Sequence, residues 1–343
     1  MIAPWRRELP VLSSDGTASH RSCAAGVDWP ASASNTSSSS NGTLPPQAGR
    51  HHGLRAGREV RRRGAWLEGA SAHEYAPAVS KPVPTRIAPD LAAEISEPLP
   101  WMYPWRLTPD LTTPVLGSEL PSIHRTRAEM IAPFACEALA SAPVAATALD
   151  LACNEGWFAH RLLEWGADRV VGVDIRDSNI HRAKLLRSHF GVSPARLELH
   201  VADVFDLDDK ELGTFDVTLV LGLIYHLENP IAALRIARRL TRRLCVVESQ
   251  LTAHDEPIRH GWGVSDHFLE AMGHWAARFE PSEEQAENPL ASHGGVISLI
   301  PNRAALVEAM EVAGFSDVAV VAAHPSHNAQ YVDGHRAIVV GRV

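Results

Sequence analysis

The residues best suited to chemistry lie at the ends of short apolar runs. Asp150 sits near the end of the run ATALDL, and the loop behind it, Ala152-Cys153-Asn154-Glu155-Gly156, carries small or turn-tolerant residues before a helix start. Small residues let a backbone come close to a ligand, and the free amides opening the next helix favour negative charge. A strand-end acid beside such a loop suits a nucleoside with a charged tail. Asp174 closes a second run, RVVGVD, and Asp203 follows a third, RLELH. Asp174 can accept hydrogen bonds from both hydroxyls of a ribose, and Asp203 from the exocyclic amine of adenine. Taken singly, each Asp reads equally well as a helix or turn cap. Three at successive strand ends make a constellation.

The elements that must position these acids alternate. Strands are expected at 146–151, 169–174, 196–200, 215–221 and 243–249, with helices between them at about 156–165, 178–190 and 229–241. This alternation predicts an α/β fold with a parallel sheet covered on both faces. Ligands of such sheets bind at the carboxyl ends of the strands, where the strand order reverses. PNRAALVEAMEVAGF reads as a helix with a Pro start and a Gly stop, and strands near 317–322 and 336–342 close the chain as an antiparallel hairpin. Upstream, the helix expected at 122–140 should kink or split at Pro133. The Pro- and Trp-rich stretch 97–117 reads as an ordered arm packing its aromatics on a neighbour.

Composition divides the chain. Residues 1–95 hold eleven Lys/Arg against eight Asp/Glu, whereas the remainder holds twenty-one against thirty-two. The Ser-, Gly-, Pro- and Arg-rich stretch 32–64 cannot bury enough apolar surface to offset its ordering entropy, so 1–95 is expected to be a disordered tail. An N-terminal arm and helix follow at 96–144, then a catalytic domain at 145–343 with a lid insertion at 251–299. An acidic body is a poor partner for phosphate backbones. The four cysteines, Cys23, Cys136, Cys153 and Cys245, show neither disulfide nor zinc spacing and fit a reducing cytoplasm. No apolar run reaches the length of a membrane span.

Residues 145–343 resemble the class I S-adenosylmethionine-dependent methyltransferases. DLACNEG has that family's strand-end acid and last Gly, with Ala152 and Asn154 where Gly is usual, and LVLGLIYHLENPIAAL looks like its fourth-strand motif. The resemblance implies a doubly wound, seven-stranded Rossmann-like sheet and S-adenosylmethionine as cofactor. Asp150, Ala152, Asn154 and Gly156 would surround the methionine part. Asp174 with Ile175 would meet the ribose, and Asp203 with Val204 the adenine, with Gly222 also at the donor. A dehydrogenase would need G-x-G-x-x-G, which is absent here. A protein that binds the donor without transferring is a further alternative.

The family places its reacting centre just beyond strand four, which makes His226 a candidate general base and Tyr225 a contact for the acceptor. His254, from the lid, is a third catalytic candidate, set with His260, His267, His274 and His293 among carboxylates. Such a mixture permits a divalent metal, but no spacing is diagnostic, and no metal ligand is assigned. Within the class, WMYPWR and GLIYHLENP resemble the branch of bacterial transfer-RNA wobble-uridine carboxymethyltransferases, which implies a carboxylated donor. That branch carries Lys after Pro-Trp-Arg, where this chain has Leu107, an apolar residue that cannot balance a buried carboxylate. The expectation is therefore O-methylation of a small molecule or glycan by ordinary S-adenosylmethionine, with transfer RNA as the second reading.

Overall fold

A computed structural model describes residues 83–97, 100–253 and 297–343, and between the last two 258–259, 270–271, 273–281, 292 and 295. The tail up to residue 82, His254, His260, His267 and His293 lie outside the described residues.

Near-continuous apolar strands build the central sheet: β3 (Thr147–Leu151), β4 (Arg169–Asp174), β5 (Leu197–Val201), β6 (Phe215–Leu221) and β7 (Thr241–Gln250), closed by β12 (Ser316–Val320) and β13 (Arg336–Arg342). Their spatial order is β5-β4-β3-β6-β7-β13-β12. The first five run parallel, while β13 is antiparallel to both β7 and β12, the expected closing hairpin. Side chains alternate between the two faces with the period of two that strands impose. Ala148, Val170, Val246 and Ile338 enter one core cluster; their neighbours Leu149, Val171, Val247 and Val339 enter the other. Helices α2 (Leu120–Ala140), α3 (Trp157–Glu164) and α4 (Asp177–His189) cover the first face. Helices α6 (Pro230–Leu240) and α7 (Arg303–Ala313) cover the second, and the short α5 (Asp209–Leu212) packs on α6. The chain moves outward from β3 to β5 and then returns to β6, so the crevice opens above the carboxyl ends of β3 and β6.

Three elements differ from the sequence reading. Helix α2 runs through Pro133 as a single helix, with Met130 and Ile131 buried before it and Ala135, Cys136, Ala138 and Leu139 after it. Burial on both sides holds the helix together despite the missing amide. The late helix starts at Arg303, and its cap is Asn302, whose side chain accepts from the Ala305 amide; Pro301 belongs to strand β11 (Ile297–Pro301). An additional helix, α1 (Pro89–Ser96), spans residue 95. It packs on α4 through buried Leu91 and through Glu94, which pairs with Arg182 at 2.6 Å. The boundary at residue 95 therefore falls inside packed structure.

The arm folds as a small hairpin, β1 (Arg106–Thr108) and β2 (Leu111–Thr112). Trp101, Tyr103, Trp105 and Leu107 are all buried. Tyr103 stacks on Trp157 of α3, and Trp105 on Phe190 beyond α4. After β7, β8 (Ile258–Arg259) pairs with β9 (Glu270–Ala271), and β10 (Trp275–Phe279) with β11.

Candidate active site

The loop after β3 has an unusual backbone. Ala152, Asn154 and Gly156 have φ of 57°, 51° and 79°, three left-handed residues in five. Gly156 tolerates this conformation freely and Asn with modest strain, whereas Ala carries the Cβ penalty. Two side-chain bonds lock the loop: the Asn154 amide donates to Asp174 Oδ2 at 2.9 Å, and Asn154 Oδ1 accepts from the Glu155 amide at 2.7 Å. Asp174 also accepts at Oδ1 from the Arg176 amide and from Asn179 Nδ2. A carboxylate offers about four acceptor positions, so Asp174 retains capacity for a ligand hydroxyl. Burial raises its pKa against these bonds.

A cavity of about 390 Å³ opens beside this loop, a volume typical of small-ligand sites. Among the expected site residues, Ala152, Asn154, Asp174, Ile175, Asp203, Val204, Gly222, Tyr225 and His226 line it. Asp150 and Gly156 do not. Gly156 caps α3, and Asp150 is buried beneath the loop, with Oδ2 lacking a hydrogen-bond partner. Burial, reinforced by the charge of Asp174, pushes the Asp150 carboxyl up to about 8. Asp203 caps a short turn through the Phe205 amide and borders the cavity.

The sequence reading did not assign the opposite wall. Met102 and Tyr103 of the arm, His124 and Arg127 of α2, Arg278, Ser292 and Arg336 also line the cavity. Arg127 Nη2 and Arg336 Nη1 each lie 2.9 Å from an oxygen of Glu248, which is fully buried at the end of β7. Tyr331 donates to Glu248 Oε1 and accepts from Arg127 Nε. Burial opposes ionisation of Glu248, but the two guanidiniums prevail and hold its pKa below the usual range. A sequence signal for this network existed, because Arg127 falls four residues after Ile123 and three before Met130 on the buried helix stripe. A charge there needs a buried partner.

At the far end, Tyr225 packs on His226, and His226 Nδ1 lies 3.3 Å from Ser292 Oγ. Burial lowers the His226 pKa to about 4, with Glu280 pulling the other way. The ring is therefore neutral at physiological pH and has a lone pair to offer. His274 is used elsewhere, bonded to Asn302 at the start of α7. Among the described residues, no group of three or more His, Cys, Asp or Glu is placed to hold a metal ion, and no helix is long and apolar enough to cross a membrane.

A sheet of this order, with a strand-end loop of left-handed residues and an acid at the next strand end, defines a Rossmann-like nucleoside-binding enzyme. The family described as "Methyltransferase domain" matches residues 123–320, and the chain belongs to it, a family that uses S-adenosylmethionine. The chain is similar to the N-terminal domain of EvdMO1, crystallised in the presence of SAH and D-fucose. The identity is 25% and the TM-score 0.52, covering 74% of this chain and 94% of that one. It is also similar to transfer-RNA U34 carboxymethyltransferases. The Campylobacter lari protein is 36% identical over 87 residues, 25% of this chain and 28% of that protein. The Idiomarina loihiensis protein is 24% identical over 188 residues, 55% of this chain and 50% of that protein. The chain thus spans half or less of the length of these two relatives.

The residues present fit the donor. The cavity has apolar walls at Leu151, Val173, Ile175 and Val204, suited to a nucleoside, and an acid, Asp174, among them. Beneath the loop, the buried Asp150 Oδ2 stands without a partner.

Proposed function

We propose that this methyltransferase acts on a hydroxyl of a small molecule or glycan. The observation that carries this reading is the lining of the cavity beyond the donor wall, where Tyr225, His226, Gln250 and Ser292 meet. These are neutral hydrogen-bonding groups matched to a polyhydroxylated acceptor. The D-fucose named with the EvdMO1 domain supports a sugar-like acceptor.

When bound, the donor supplies an electrophilic methyl group on a cationic sulfur. The protein's own tasks are to hold, align and deprotonate. Ala152 and Asn154 of the loop hold the methionine part, with Asp150 and Gly156 shaping the loop from behind, Asp174 with Ile175 the ribose, and Asp203 with Val204 the adenine. Tyr225 orients the acceptor. His226 takes the hydroxyl proton as the oxygen forms its new bond to carbon, and the lid excludes water. Alignment of this kind supplies about 7–11 kcal/mol of barrier lowering.

A second reading, carboxymethyl transfer to transfer RNA, is favoured by the names of the curated relatives and by one structural feature. Two guanidiniums, Arg127 and Arg336, share the single carboxylate Glu248, which leaves surplus positive charge at the cavity wall that an added donor carboxylate would neutralise. Against it, Leu107 is wholly buried and is not among the lining residues, and the body is acidic.

Calorimetric titration with S-adenosylmethionine and with its carboxylated form separates the two. The proposal expects tighter binding of the plain donor and label transfer from it to D-fucose or related sugars. Preference for the carboxylated donor, with label appearing in transfer RNA, would replace it by the second reading. Tight donor binding without transfer to either would leave a binding protein.

A further inference from the structure

Two arginines on the cavity wall have donors to spare. Arg127 and Arg336 both line the cavity, although their side chains are only 6% and 7% exposed. The short helix α8 (Ala329–Val332) fixes one edge of each guanidinium. Arg127 Nε donates to the Tyr331 hydroxyl at 2.9 Å, and Arg336 Nε to Gln330 Oε1 at 2.7 Å. Glu248 takes a second nitrogen from each, Arg127 Nη2 and Arg336 Nη1. A guanidinium spreads five N–H donors over three nitrogens. Arg127 Nη1 and Arg336 Nη2 therefore remain, and neither has a partner among the described residues.

Two cations around one carboxylate leave a single positive charge in a largely desolvated place, where a charge without a counterion is costly. A carboxylate supplies that charge, together with the acceptor oxygens that the spare nitrogens lack.

Strand order decides which reactant brings it. Ala152, Asn154, Asp174 and Asp203, the polar and loop residues of the donor reading, follow β3, β4 and β5. Glu248 lies on β7 and Arg336 on β13, the third strand beyond β3 in the opposite direction, about 14 Å away at ordinary strand spacing. Between them ends β6, followed by Gly222 and Tyr225 at the expected reacting centre. A Cβ on Gly222 would stand 3.7 Å from Arg127 Nη2 and 3.5 Å from the Tyr225 hydroxyl oxygen. Arg336 is also the register partner of Gln250, one of the neutral groups matched to acceptor hydroxyls. The surplus charge thus lies on the acceptor's side of β6, beside groups that bind hydroxyls.

We propose that Arg127 and Arg336 form a clamp for a carboxylate on the acceptor, which makes the acceptor a sugar acid of the uronic class. Its carboxylate enters the clamp and its hydroxyls meet Tyr225, His226 and Gln250. The inference rests on the reading of the chain as an O-methyltransferase of small molecules and narrows the substrate of that same site. Tyr331 and Gln330 act as positioning residues, holding each guanidinium by Nε.

The test saturates the full-length protein with S-adenosylhomocysteine and titrates it calorimetrically with three sugars of one scaffold. These are D-galacturonate, its uncharged amide, and D-fucose, which has a methyl group in place of the carboxylate. The acid should bind about ten- to a hundredfold tighter than either neutral sugar, the range expected from one or two hydrogen bonds to a charged group. Arg336→Gln should abolish this preference. Equal affinity for acid and amide, or no binding of the acid, would overturn the clamp; that comparison needs only the wild type, so it decides even if Arg336→Gln does not fold. A preference retained in Arg336→Gln would overturn it too. Tighter binding of the carboxylated donor than of S-adenosylmethionine, lost in Arg336→Gln, would give the clamp to the donor and remove it from the acceptor. Labelled S-adenosylmethionine separates the clamp from the reading beneath it. Preferred binding of the acid without label transfer to it leaves the clamp standing and sinks the methyltransferase reading of this site. Label transfer to D-fucose without any preference for the acid does the reverse.

Discussion

Ala152 is the residue at which sequence and backbone disagree most. At φ 57° it occupies a conformation costing an L-residue about 1–2 kcal/mol, in a loop where relatives of this class place Gly. Gly would relieve that strain and lose about 0.4–1 kcal/mol through the greater freedom of the unfolded chain. Ala152→Gly should therefore raise unfolding stability by about 0.5–1 kcal/mol, read as a higher urea midpoint at unchanged slope. Asn154→Gly should give no gain, because Asn tolerates the conformation and its side chain accepts from the Glu155 amide. A lower midpoint for Ala152→Gly would show that the methyl group packs well enough to outweigh the strain.

At the scale of elements, the arm is held by one carboxylate. Glu155, 2% exposed, accepts from the Met102 and Tyr103 amides and faces Arg182, which also binds Glu94 of α1 and the Pro100 carbonyl and stacks on Trp101. Removing it orphans two amides and a share of a buried cation, each a loss of roughly 1–3 kcal/mol. Glu155→Ala should destabilise by about 2–4 kcal/mol and weaken donor binding, since Met102 and Tyr103 line the cavity; denaturation and calorimetry test both. Intact donor affinity at reduced stability would mean the arm is structural only. The parallel core was legible because strands buried on both faces are almost unbroken apolar runs, as in FDVTLVL. One wall of the cavity, with Ala152, Asn154, Asp174 and Asp203, was legible because those residues follow the strands directly. Arg127, Glu248, Arg336, Glu280 and Ser292 were not, because each depends on a partner far away in the chain. Pro301 misled for a local reason: a Pro-Asn pair fits both a helix start and a strand end followed by a cap.

For the whole molecule, buried acids set the pH profile. Folding raises the carboxyl of Asp150 to about 8 and that of Glu155 to about 7, in both cases chiefly through burial. Groups raised in this way give stability that is complete below their unfolded values, near 4, and lost as pH climbs through the folded ones. Glu248, Glu198 and Asp216 are lowered and act in the opposite sense, losing their contribution in acid. The melting temperature should thus be highest at about pH 4–5 and fall as pH climbs to about 8, with Asp150→Asn flattening the alkaline side. An alkaline side as steep in the variant would assign the fall to other groups. The reversed direction of β13 has a kinetic counterpart. Its antiparallel run brings Arg336 to the same edge as the loop after β3, so the crevice joins the arm, the first strand and the last strand across nearly the whole described chain. Closing contacts of such long sequence separation is slow and comes late in folding. Affinity for the nucleoside should accordingly be acquired in the final phase of refolding, after the helical signal has recovered, which makes ligand binding a reporter of the completed topology.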